Sequence, residues 1–156
     1  MLALTMEIFG LYNKHVKGSR KGAVVPIEII LICNLTKTTQ KVLSTKAYRV
    51  YLSTKVLKHL YDEKPAEEFD KIMKNLVSIV KFPDEIYENK GGKTAQVCFL
   101  KEIDGEKYFC PLEITNKAPK DTEGVFEIVT TFRISKSNYL KNYKLIWSWR
   151  DDTPSS

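Results

Sequence analysis

The chain is poor in metal-ligating and redox residues, and that scarcity excludes whole classes of chemistry. Of its 156 residues only three are cysteine and two are histidine. With no C-x-x-C or H-E-x-x-H spacing, no zinc cage is legible. The scattered Cys33, Cys98 and Cys110 cannot complete a disulfide framework, so buried or free thiols in a reducing compartment are expected. Asp62, Glu63, Glu67, Glu68 and Asp70 read as helix-surface charges, and neither metal nor cofactor is expected. A glycine is missing where a phosphate loop needs one. Gly91-Gly-Lys-Thr94 would require glycine at 87, which is Tyr87, and the segment leads into a strand rather than a helix. Long apolar runs are also missing. Val24–Cys33 is broken by Pro26 and Glu28 and is too short for a bilayer. The N-terminus lacks a basic stretch and meets Glu7 quickly, which makes a poor signal peptide. A soluble, cytoplasmic protein with no membrane partner is expected.

What is present fits one globular domain. Hydrophobic residues make up 43% and charged residues 28%, which argues against general disorder. The net charge of +6 leans toward a polyanionic partner. It is unevenly placed: residues 1–50 hold eight basic and two acidic residues, and the remainder is balanced. The excess centres on the loop His15-Val-Lys-Gly-Ser-Arg-Lys-Gly22.

Residues 7–34 read as two extended pieces around that loop, and 35–47 as a Thr- and Lys-rich connector. Tyr48–Leu52 reads as a strand, with Ser53 or Thr54 placed to cap a helix that shows Val56, Leu57, Leu60 and Tyr61 on one stripe. A second helix starts at Pro65 and ends near Phe82-Pro83. Its Phe69, Ile72, Met73, Leu76, Val77 and Val80 give the strongest periodic signal in the chain. After a loop over Pro83–Lys93, strands are expected at Thr94–Ile103, Lys107–Thr115, Val125–Ile134 and Lys144–Trp149, with a short helix over Ser137–Asn142. Asp104-Gly105 marks a hairpin that sets Phe99 opposite Cys110, so Cys98 and Cys110 face opposite sides. The fold class expected is α+β: two helices packed on a four-stranded antiparallel meander, with an extra N-terminal β segment.

Several residues could carry chemistry. His59 lies about 60° from Val56 on the helical wheel, at the rim of the packed face, with Lys55 and Glu63 one turn away. Such a histidine can act as general acid or base. Read as one continuous strand, 125–134 directs Phe126, Ile128, Phe132 and Ile134 inward. Glu127, Val129, Thr131 and Arg133 then form an open row suited to a phosphate. Lys101 pairs with Tyr108 across the hairpin, and Tyr139, Tyr143, Trp147 and Trp149 make the C-terminal end aromatic.

The order of these pieces carries a resemblance. Tyr48-Arg-Val-Tyr-Leu-Ser-Thr-Lys-Val-Leu-Lys-His59 is followed by a second helix and Phe82-Pro-Asp-Glu-Ile86. Then come the hairpin Phe99–Phe109 and Ile128-Val-Thr-Thr-Phe-Arg133. This resembles the barnase–EndoU–colicin–RelE-like nuclease superfamily, in particular its phage- and mobile-element-associated branch. The resemblance covers residues 46–150 and leaves 1–45 as a β-rich extension with its basic loop and 151–156 as a disordered tail. It implies a metal-independent endoribonuclease, used as a toxin or in phage conflict, with RNA as substrate and a cognate inhibitor protein as partner. It implies His59 as acid or base, Arg133 offsetting phosphorane charge and Thr131 holding a phosphate oxygen. Thr130, Lys101, Glu127 and Tyr139 would bind substrate. The alternatives are a non-catalytic RNA- or protein-binding module of the same fold, and an accessory protein of a mobile element.

Overall fold

The computed structural model describes residues 2–89, 97–115, 124–136 and 138–150. The chain opens with α1 (Leu2–Leu11), which passes into a π-helical turn, Tyr12–Val16. β1 (Ile29–Asn34), α2 (Lys37–Leu43) and β2 (Arg49–Ser53) follow. Next are α3 (Thr54–Glu63) and α4 (Ala66–Lys81). The remaining strands are β3 (Glu85–Asn89), β4 (Val97–Ile103), β5 (Glu106–Thr115), β6 (Val125–Ile128), β7 (Phe132–Arg133) and β8 (Tyr143–Ser148), the last preceded by a 3-10 turn at Tyr139–Asn142.

Local chemistry accounts for the two central helices. The Val56 N–H donates to the Ser53 side chain at 3.3 Å, so Ser53 caps α3. α4 follows Pro65, and Glu67 and Glu68 lie in its first turn, at the positive end of the helix dipole. Its whole apolar stripe is buried. The hairpin between β4 and β5 turns on Asp104 (φ 53°) and Gly105 (φ 79°), the left-handed pair a two-residue turn requires. Its register sets Ile103 against Glu106 and Phe99 against Cys110. Cys98 and Cys110 therefore face opposite sides, and all three cysteines are buried and unpaired. Burial pushes each thiol up to about 12.

The protein is α+β: the described residues form four α-helices and a mostly antiparallel sheet of eight strands in the order β1-β2-β6-β5-β4-β3-β8, with β7 on β5. That is broader than a four-stranded meander. β8 pairs with β3, which occupies part of the stretch expected as a loop. β2 and β6 run parallel. The segment 1–45, expected to be β-rich, carries among its described residues one strand, two α-helices and the π-helical turn. Its Ile8, Leu11, Val16, Ile32 and Cys33 belong to the same core as Leu60, Leu76 and Phe99. A second cluster (Tyr87, Cys98, Leu100, Phe109) lies on the other sheet face under Phe132, Tyr139 and Tyr143. The expected turn at Gly91–Thr94 and tail at 151–156 lie outside the described residues. No helix among the described residues is long and apolar enough to cross a membrane.

The stretch 125–134 is not one strand. Leu112 pairs with Ile128, and Phe109 pairs with Phe132. β5 thus advances three residues while its partner advances four, which leaves one extra residue, as in a β-bulge. Pro111, which has no N–H to give a ladder, lies in that interval, and its carbonyl accepts from Val129 N–H at 3.0 Å. A one-residue shift exchanges the two faces of everything after it. Phe126 and Ile128 pack under the helices, whereas Phe132 and Ile134 join the cluster on the opposite face.

Candidate functional site

The parallel pair β2 and β6 ends at Ser53 and Ile128, and both residues line a cleft of about 520 Å³. Crevices beyond the carboxyl ends of parallel strands are favoured ligand positions. α3 leaves β2 without a linker, so Lys55 and His59, one helical turn apart, reach the same cleft. The opposite wall carries Glu127 of β6 and Glu113 of β5, which stand directly opposite each other in the strand register.

The buried Thr54 holds the rim in place. Its Oγ1 accepts from Glu28 N–H (2.9 Å) and donates to the Pro26 carbonyl (2.8 Å). Its own N–H donates to the Glu28 carbonyl at 2.9 Å. These bonds fasten the approach to β1 across the start of α3, with Ile27 and Ile29 as the apolar lip of the cleft.

His59 and Glu127, expected on separate grounds, are brought together here; His59 is solvent-exposed and Glu127 is half-buried. Thr130, half-buried, directly follows the lining residue Val129. The other expected residues lie elsewhere. Thr131 is fully buried, donates to the Thr130 carbonyl at 2.8 Å and lies 3.3 Å from Cys110 Sγ. Arg133 is turned to the helix side by the extra residue. Its guanidinium donates to Glu106 at 2.7 Å and lies 3.8 Å from the Glu68 carboxylate. Glu106, and after it Glu68, holds the guanidinium pKa above its ordinary value. Lys101 donates to the Phe82 carbonyl at 2.7 Å, satisfying the end of α4, and lies 3.7 Å from Asp84. Tyr139 packs edge-on to Phe109 and Phe132, 3.4 Å from the Tyr143 hydroxyl. Burial, then that neighbour, pushes its pKa up. The anticipated trio of His59, Thr131 and Arg133 therefore does not share one cleft.

One charged lining residue, Glu113, escaped the sequence reading, whereas Lys55 was read there as the neighbour one turn before His59. Glu113 is placed by the register, which sets it directly opposite Glu127. Among the described residues no group of three His, Cys, Asp or Glu side chains could hold a metal ion. In chemical terms the cleft offers a donor–acceptor imidazole, two carboxylates, an ammonium and an apolar lip. Compared with family models, curated proteins and solved structures, the chain matches none.

Proposed function

We propose that the protein is a metal-independent endoribonuclease whose acid–base pair is His59 with Glu127. The observation that carries this reading is that these two residues, from a helix and a strand 68 positions on, line one cleft with Lys55 between helix start and His59. Glu127 takes the proton of a ribose 2′-hydroxyl, whose oxygen attacks the adjacent phosphorus. His59, protonated, gives a proton to the departing 5′-oxygen. The products are a 2′,3′-cyclic phosphate and a 5′-hydroxyl end. Lys55 offsets charge on the phosphorane, the role first expected of Arg133. The attacking hydroxyl belongs to the substrate, so the reaction needs no cofactor.

The nuclease-like unit is α3 and α4 with the β3–β6 meander, in keeping with the resemblance over residues 46–150. A toxin or phage- and mobile-element effector role, a cognate inhibitor and a cytoplasmic location belong to the same reading. One positioned acid or base contributes about 10²–10⁴-fold. Purified protein is expected to cleave RNA in EDTA, with His59→Ala and Glu127→Gln each losing a factor of that order. Wild-type rates in both variants would overturn the assignment.

A second reading is a non-catalytic RNA- or protein-binding module of the same fold. It is favoured by the engagement of Arg133 with Glu106 and Glu68 and by the burial of Thr131. It predicts salt-dependent RNA binding with no cleavage product.

A further inference from the structure

The basic excess of the first fifty residues is not in the His59 cleft. Three of that segment's eight basic residues, Lys17, Arg20 and Lys21, are exposed on the loop after the π-helical turn. This loop is fastened to α3. Gly18 N–H donates to the Tyr61 hydroxyl (3.2 Å), Gly22 N–H donates to Asp62 (3.0 Å), and Lys58 Nζ donates to the Arg20 carbonyl (2.6 Å). Both glycines have φ of +77°, a conformation that side chains at either position would strain.

Beneath the loop is a cleft of about 490 Å³ on the side of α3 away from His59. Tyr12 and Tyr61, both half-buried, line it, with ring centroids 5.8 Å apart and each within 5.5 Å of Phe69. Lys21 and Lys64 also line it, with Lys64 Nζ 3.8 Å from the Glu68 carboxylate. The acidic groups of the lining are already engaged: Asp62 with Lys58 at 2.6 Å and Asp70 with Lys74 at 2.8 Å. π-Helical turns recur at functional sites, and here one delivers Tyr12. Aromatic faces beside a line of cations are the pattern on which single-stranded nucleic acid stacks.

We propose that this cleft is a single-stranded RNA subsite. One base stacks on Tyr12, since Lys58 Nζ already lies over the Tyr61 ring at 5.5 Å, and the flanking phosphates meet Lys21, Arg20 and Lys17. The assignment rests on the RNA reading above and separates affinity from chemistry, since the acid–base pair lies across α3.

The test uses the full chain and a labelled 2′-O-methyl oligoadenylate, which has no attacking hydroxyl and so cannot be consumed. Fluorescence anisotropy is expected to show binding that Tyr12→Leu weakens about 5- to 100-fold. Lys21→Gln, on the exposed loop, should weaken binding and reduce the salt slope by about one. Circular dichroism checks that both variants remain folded. Wild-type affinity in both folded variants overturns the subsite, as does equal displacement of the probe by poly-glutamate. A protein that binds with Tyr12 dependence but cuts no RNA keeps the subsite and overturns the His59–Glu127 pair. A protein that cuts RNA with no dependence on Tyr12 or Lys21 does the reverse.

Discussion

Replacing Tyr108 by phenylalanine should make the protein more stable. Tyr108 sits on β5 with no exposed surface, and its hydroxyl meets no hydrogen-bond partner among the described residues. Burial pushes its pKa up, and Glu106, Lys71, Arg133 and Glu68 are its charged neighbours. A buried hydroxyl without a partner costs about 1–3 kcal/mol. Removing it leaves a void smaller than a methyl group, which returns a fraction of that gain. The net expectation is about 1 kcal/mol in favour of Tyr108→Phe. At ~2.1 cal/mol/K per residue, 156 residues convert this into a Tm increase of about 3 °C. Urea and thermal unfolding followed by circular dichroism measure it. A loss of stability would refute the reasoning and show that the hydroxyl is hydrogen-bonded in solution. The group bonded there would be water or an anion held beside Arg133 and Lys71, which would return Arg133 to consideration as an anion ligand.

Other expectations follow from the same packing. Thr131→Val, which removes only buried local hydrogen bonds, should cost about 1 kcal/mol in urea unfolding and leave RNA cleavage unchanged; an inactive, fully stable variant would contradict its placement. The three thiols should be inert to Ellman's reagent until the chain unfolds, because burial pushes each from an ordinary 9.0 up to about 12. Each folded thiol keeps its proton to higher pH than the unfolded one, so this stabilisation is complete below pH 9 and is lost as pH rises toward 12. The slope approaches about 1.4 kcal/mol per pH unit per thiol, and a flat urea midpoint across that window would contradict it. Lys58→Met should free the basic loop from α3, speeding trypsin cleavage after Lys17, Arg20 and Lys21 without a comparable effect elsewhere; unaltered cleavage would show that the loop is held by other means.

Elements that state their geometry within a few residues were readable in advance. α4 announces itself by a six-residue apolar stripe bounded by prolines, and the β4–β5 hairpin by Asp104-Gly105. α1 did not, because Leu2, Leu4, Met6, Ile8, Phe9 and Leu11 leave no polar face and its first turn carries no acidic residue. α2 was hidden by paired threonines, which favour extended backbone. The pairing of β8 with β3 joins residues more than fifty positions apart and leaves no local trace. Within the site, His59 was legible from its place beside a helical stripe, and Glu127 from alternation ahead of the bulge. Thr131 and Arg133 were misplaced for one reason: alternation was carried through Val129–Thr131, where the extra residue reverses the faces. Pro111 on the neighbouring strand was the available warning.

The central claim is that His59 and Glu127 act on a ribose 2′-hydroxyl. Its most direct measurement is cleavage, in EDTA, of a DNA strand containing a single ribonucleotide. The account predicts one cut, immediately 3′ of that ribose, leaving a 2′,3′-cyclic phosphate, with the rate reduced about 10²–10⁴-fold in His59→Ala and in Glu127→Gln. No cut, a cut at deoxyribose positions, or wild-type rates in both variants would contradict it.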